Sequence, residues 1–272
     1  MFQRVYASFG QTVFSRRYDN RMGARGRHTG AVSLRLLAFS LLLFGLSACT
    51  AVEPATERAV PWVDGDVLVY DVVESGKNTG TITYSFTRTG EGWLLESLLD
   101  APEGSMLQGT LLDYDTLTAR ASYCDYLPTE VTEQHYAFRV DALYKDDVFT
   151  VTTDDPASPA LSTLAMAKGY PMDDNSVLEQ FLRVFDCKPG EPFGVALGLP
   201  LQGRTDVVTV GCTTTKTFVY NGESVLCRGV KVGKSGAKQA PAITLWYTAD
   251  DARLLVRLET SRIAYTLHGV EE

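Results

Sequence analysis

From residue 81 to 86 the chain reads TITYSF, with Ile82, Tyr84 and Phe86 alternating against Thr81, Thr83 and Ser85. A period of two gathers the three apolar side chains on one face of a strand, whereas a helix would scatter them around its circumference. The alternation returns at Tyr136, Phe138 and Val140, at Leu254, Val256 and Leu258, and at Ile263, Tyr265 and Leu267. Clusters of glycine, asparagine and aspartate punctuate these runs at hairpin spacing: GKNTG at 76–80, TGEG at 89–92, KDD at 145–147 and TADD at 248–251. One apolar and one polar face is the pattern of antiparallel sheet with a solvated side. The fold class expected is therefore mainly β.

The Asn221-Gly222 pair gives the sharpest local expectation. Both residues tolerate positive φ, which favours a two-residue type I′ hairpin. That register sets Tyr220 opposite Glu223 and Lys216 opposite Cys227. One segment breaks the β pattern. In SVLEQFLRVF at 176–185, Leu178, Phe181, Leu182 and Phe185 share a helical face, and Ser176 with Glu179 forms a capping-box pattern. Pro189-Gly190 ends it. One amphipathic helix is expected over about 174–187, lying on or in the concavity of the sheet.

The N-terminal region speaks to location. Leu34 to Ala48 is an apolar stretch, too short for the roughly 20 residues that cross a bilayer as a helix. Arg16, Arg17, Arg21, Arg25 and Arg27 lie before it, with Asp19 the only acid. A basic region, a short apolar region and small residues at Ser47 and Ala48 make a secretory signal. Its ending, Leu46-Ser47-Ala48-Cys49, resembles the lipobox of bacterial lipoproteins, in which the cysteine is acylated and becomes the first mature residue. Cys49 is thus the expected lipidation site. Several acyl tails, each contributing about 0.8 kcal/mol per buried methylene, hold a protein at a membrane durably where one does not. Translation from Met22 would give this signal a more ordinary length.

Residues 1–48 are read as the signal peptide, 49–61 as a lipidated tether and 62–272 as a single β-rich domain. Seven of the 25 basic side chains and one of the 33 acidic ones fall in 1–48. The remainder carries 18 basic against 32 acidic groups, a formal charge of −14 rather than −8. That balance argues against nucleic acid and against electrostatic adhesion to anionic headgroups, so the expected membrane partner is reached through Cys49 alone. Thr50, where an aspartate would resemble an inner-membrane retention signal, favours the periplasmic face of the outer membrane.

Four cysteines follow Cys49: Cys124, Cys187, Cys212 and Cys227. Three pairings are open to them. The hairpin register sets Cys212 four residues, about 13 Å, from the partner of Cys227, beyond the reach of a disulfide. A Cys212–Cys227 bridge is disfavoured unless a bulge intervenes.

Catalytic constellations are sparse. There is no G-x-S-x-G elbow, and after position 48 the only histidines are His135 and His268, both read as surface imidazoles. No histidine pair or C-x-x-C has metal spacing. The aspartate doublets 146–147, 154–155, 173–174 and 250–251 suit turns and caps better than calcium. GVKVGKS at 229–235 places three residues between its glycines where a phosphate loop needs four, and strand follows where the loop needs a helix. No enzyme activity, cofactor or metal site is expected. Nine aromatics (Tyr84, Phe86, Tyr136, Phe138, Phe218, Tyr220, Trp246, Tyr247 and Tyr265) are read chiefly as core, or else as lining a groove for an apolar chain if the sheet is only partly filled.

From Gly65 onward the order of motifs resembles a family of exported bacterial proteins, domain of unknown function 3108. GDVLVYDVVESGKNTGTITYSF is similar to its first hairpin, LLDYDTLTAR to an aspartate turn, and YPMDDNSVLEQFLR to the entry into a helix ending near Arg183. APAITLWYTADDARLLVRLE is similar to a strand–turn–strand unit with Trp246, Asp251 and Arg253 in place, departing from it at Leu255. The resemblance implies one large curved antiparallel sheet, a half-barrel wrapped around one amphipathic helix, similar to periplasmic lipoprotein carriers. It supplies no catalytic residues. The functional expectation is a membrane-anchored periplasmic lipoprotein that binds an apolar ligand or lipid. The alternative is an assembly protein that docks an envelope partner and has no ligand cavity.

Overall fold

The computed structural model describes residues 60–132, 136–145, 148–154, 161–165, 172–174, 177–234 and 243–271. The signal, Cys49, most of the tether and His135 lie outside them. One sheet organises the whole. Its first arm is a meander of eight strands: β1 (Val67–Glu74), β2 (Lys77–Arg88), β3 (Trp93–Ala101), β4 (Gly104–Leu112), β5 (Ala119–Pro128), β6 (Phe138–Lys145), β7 (Val148–Thr153) and β8 (Leu161–Ala165). The second arm comprises β9 (Met172–Asp174), β10 (Phe193–Leu199), β11 (Arg204–Tyr220), β12 (Glu223–Lys234), β13 (Ile243–Thr248), β14 (Leu255–Glu259) and β15 (Ile263–Leu267). A short β16 (Val270–Glu271) pairs with the end of β11. The arms join where β1 pairs with β15, Tyr70 opposite Leu267. Every pairing in the sheet is antiparallel except β9 with β10, which is parallel.

Alternation decides what faces inward. Along β2, Ile82, Tyr84 and Phe86 are buried, while the residues between them point outward. The hairpin at Asn221-Gly222 takes the expected register, with φ of 51° and 78° at its two turn residues. A bulge between Cys212 and Thr215 shifts β11 against β12, yet Cys212 ends opposite Val230, far from Cys227. The disulfide instead joins Cys187 to Cys212, with Cα atoms 5.5 Å apart, and leaves Cys124 and Cys227 as buried thiols.

The phase expected at 254–258 does not hold. An irregularity in the β13–β14 pairing inserts Val256 as an extra residue, since Trp246 faces Arg257 while Tyr247 faces Leu255. Leu255, not Leu254, is therefore fully buried in the main core. Val256 joins Phe218, Cys227 and Trp246 in a second, smaller cluster.

The sheet is the expected open, curved one, with strands of its two arms in contact across it. Thr205 on β11 donates from its hydroxyl to the Ala165 carbonyl on β8 at 3.2 Å, so strands from opposite arms touch without forming a ladder. The Tyr144 ring on β6 lies directly against Gly198 on β10, where any side chain would collide with it. The helix lies in the concavity, as expected, but is shorter: α1 spans Leu178–Phe181 and continues as one 3-10 turn, Leu182–Val184. Ser176 lies outside the described residues, and no side chain caps the helix. Nor is the segment amphipathic in its setting. All seven residues are buried, including Glu179, Gln180 and Arg183. The helix is not laid on a concave face but enclosed by it.

Candidate functional site

Two features of the interior concentrate chemistry: a polar cluster around α1 and a small cavity at its C-terminal end. Glu179 points into the core, 5 % exposed, and its Oε1 accepts a hydrogen bond from the Tyr84 hydroxyl on β2. Its backbone oxygen accepts from the Tyr247 hydroxyl on β13 at 2.6 Å. Burial pushes the carboxyl up to about 7, although the Tyr84 hydrogen bond pulls it the other way. Burial first, and then the charge of Glu179, raises the phenols of Tyr247 and Tyr265. Burial also raises Tyr70, whose hydroxyl donates to the Leu255 carbonyl at 2.9 Å. These tyrosines are neutral donors across the physiological range.

Arg183 lies four residues after Glu179, the spacing of a helical ion pair, but the two do not pair. Its guanidinium instead donates to the carbonyls of Arg253 (3.0 Å), Ala252 (2.9 Å) and Pro61 (3.4 Å) and to Gln180 Oε1 (3.1 Å). It sits 5.6 Å from the centre of the Phe86 ring. Burial lowers its pKa. Through Pro61 and the 252–253 turn, one buried arginine ties the helix to the end of the barrel where the chain enters. Trp62 closes that end, stacked on Phe86 at 6.0 Å and edge-on to Trp93 at 5.9 Å.

Beside this end opens a cavity of about 40 Å³. Leu182, Phe185, Phe193, Val210 and Val230 give it an apolar floor, while Arg228, Asp250 and Arg253 stand at its polar side. Arg228 is tied to the Cys187 carbonyl at 3.3 Å and to Asp186 at 3.6 Å; Arg253 donates to the Phe185 carbonyl at 3.0 Å. Asp250, one of the sequence's aspartate doublets, accepts from Thr248 Oγ1 and from the Arg253 backbone, which makes it a turn cap. A volume of this size admits a few water molecules or one aliphatic side chain, not an acyl tail.

Of the residues singled out from sequence, Cys49 and His135 lie outside the described part. His268 is exposed and sits 3.0 Å from Asp71 on the outer surface, remote from both features. Tyr84, Phe86, Tyr247 and Tyr265 are core, as their alternation indicated, and the helix fills the concavity they line. Sequence reasoning missed Glu179, which it assigned to a helix cap. A buried carboxylate has no periodic signature, although an acid amid Leu178, Phe181 and Leu182 was available as a hint.

No protein-family model matches this chain, and no curated protein matches it. Among solved structures, a β-barrel-like protein of domain of unknown function DUF1849 from Brucella abortus is 13% identical, with 75% of this chain and 96% of that one covered and a TM-score of 0.49. A "putative lipoprotein" of Parabacteroides distasonis is 12% identical, with 82% and 99% covered and a TM-score of 0.29. The expected relation to domain of unknown function 3108 thus finds no family match. What stands of that expectation is the coarse architecture: a curled, mainly antiparallel sheet around a short helix.

Proposed function

We propose that this chain is a lipid-anchored protein of the bacterial cell envelope whose barrel serves as a rigid body for docking an envelope partner. One observation carries the choice over a lipid carrier. Among the described residues, the space inside the barrel that a hydrophobic cargo would need is occupied by α1, buried on every side, and by the polar cluster that holds it. The cavity beside the helix is too small for an acyl chain. Anchoring rests on the signal-like segment ending in Cys49, and the acidic balance of the chain beyond it leaves the tails as the means of attachment. The outer membrane is favoured over the inner by Thr50. Among the described residues, no constellation of nucleophile, base and oxyanion donors supports an enzyme reading.

The apolar floor of the cavity favours a second reading, in which an apolar ligand enters there and displaces the helix. Native mass spectrometry of the full chain purified from its host separates the two. A docking body gives the mass of the lipidated polypeptide alone, whereas a co-purifying lipid in defined stoichiometry would overturn the docking reading.

A further inference from the structure

The α1 segment is four α-helical residues followed by a three-residue 3-10 turn, and isolated helices shorter than about 12 residues are marginal in water. What holds its side chains therefore sets its position. Downstream, the Cys187–Cys212 disulfide pins the chain covalently to β11. Arg183 is held by carbonyl groups that do not titrate. Two further polar holds are the Tyr247 hydroxyl on the Glu179 carbonyl and the Glu179 side chain against Tyr84; among the described residues, only the second involves a group that changes charge near neutrality.

Among the described residues, the titratable or charged groups around the Glu179 carboxyl are Tyr84 on β2, Tyr70 on β1, Tyr247 on β13, Tyr265 on β15 and Arg183 on its own segment. Burial keeps Tyr70, Tyr247 and Tyr265 neutral, Tyr84 donates to the carboxyl, and the one cation directs its donors elsewhere. A carboxylate formed here would be a buried charge with hydrogen bonds but no counter-ion, an arrangement that costs several kcal/mol in general. We infer that Glu179 is a pH-operated latch on α1: the neutral carboxyl seats the helix in the barrel, and its ionisation loosens that seat toward the mouth. The direction follows from the cavity. Tyr247 both lines it and holds the Glu179 carbonyl, while Leu182 and Phe185 form its floor, so the cavity adjoins the helix on that side. This inference depends neither on the lipid anchor nor on the docking reading.

Hydrogen exchange of the full chain, corrected for the intrinsic pH dependence of the chemistry, tests it. Between about pH 5.5 and about pH 8.5, amides of 178–184 in the wild type lose protection by about tenfold or more, while β11 and β12 do not change. In Glu179→Gln the same amides keep the protection of the acid form at both values. Tyr84→Phe removes a hydrogen bond that favours the ionised form, so the midpoint of the transition moves to higher pH. Equal wild-type protection at both pH values would overturn the latch. So would a pH response that persists in Glu179→Gln, or a Tyr84→Phe midpoint that stays or falls.

Discussion

A carboxyl group enclosed by tyrosines, beside an arginine that turns away from it, makes folding depend on protons. Unfolded, Glu179 has the ordinary value of 4.5; folded, burial raises it to about 7. The folded state therefore binds the proton more tightly. The resulting stabilisation is complete below about pH 4.5 and lost as pH rises through about 7. For a shift of this size the loss is about 3 kcal/mol. Thermal unfolding followed by circular dichroism should thus give a lower midpoint at about pH 8 than at about pH 5. Glu179→Gln should remove most of that difference while leaving the contribution of surface groups. A variant with the full wild-type pH dependence would show that the carboxyl is already ionised in the native core.

Among the elements, the most consequential junction is the one between α1 and β11. The Cys187–Cys212 bridge spans 25 residues of sequence, and closing a loop of that length restricts the unfolded chain by about 3 kcal/mol. Changing both cysteines to serine should lower the urea midpoint accordingly, with an unchanged slope if the unfolded state is otherwise the same. How much of this was legible in sequence differs from element to element. The β11–β12 hairpin could be read because Asn221-Gly222 fixes both the turn and the register, which in turn disfavoured the Cys212–Cys227 pairing. The register at β14 could not. A bulge displaces Val256 to the other cluster, and a run of apolar residues at 254–256 reads equally well in either phase. The helix was legible as an apolar stripe but not as a buried plug. Its period identifies the face that packs, and gives no warning that the opposite face is enclosed as well. Nothing in the spacing of Glu179, Gln180 and Arg183 separates a solvated polar face from a network inside a barrel.

At the scale of the whole molecule, the arms of the sheet, the tether and the charge act together. The chain beyond position 48 carries a formal −14, which repels anionic headgroups, so the proposed attachment rests on Cys49. Cys49→Ser should therefore abolish palmitate labelling and release the protein from membranes into the soluble fraction, as cell fractionation would read out. Retention of the unlabelled variant would mean that another surface of the barrel binds the membrane. The placement of β1 has a mechanical side. The strand that follows the tether is not at a sheet edge but in the middle, clasped by β2 and β15 on its two flanks. In the proposed anchored protein, a pull along β1 toward the bilayer would first have to free Trp62 from its packing on Phe86 and Trp93. Load applied that way strains two ladders of hydrogen bonds in shear, all at once, instead of unzipping one edge bond by bond. A leash attached ahead of β1, as proposed, would thus meet the sheet at a point suited to bear tension.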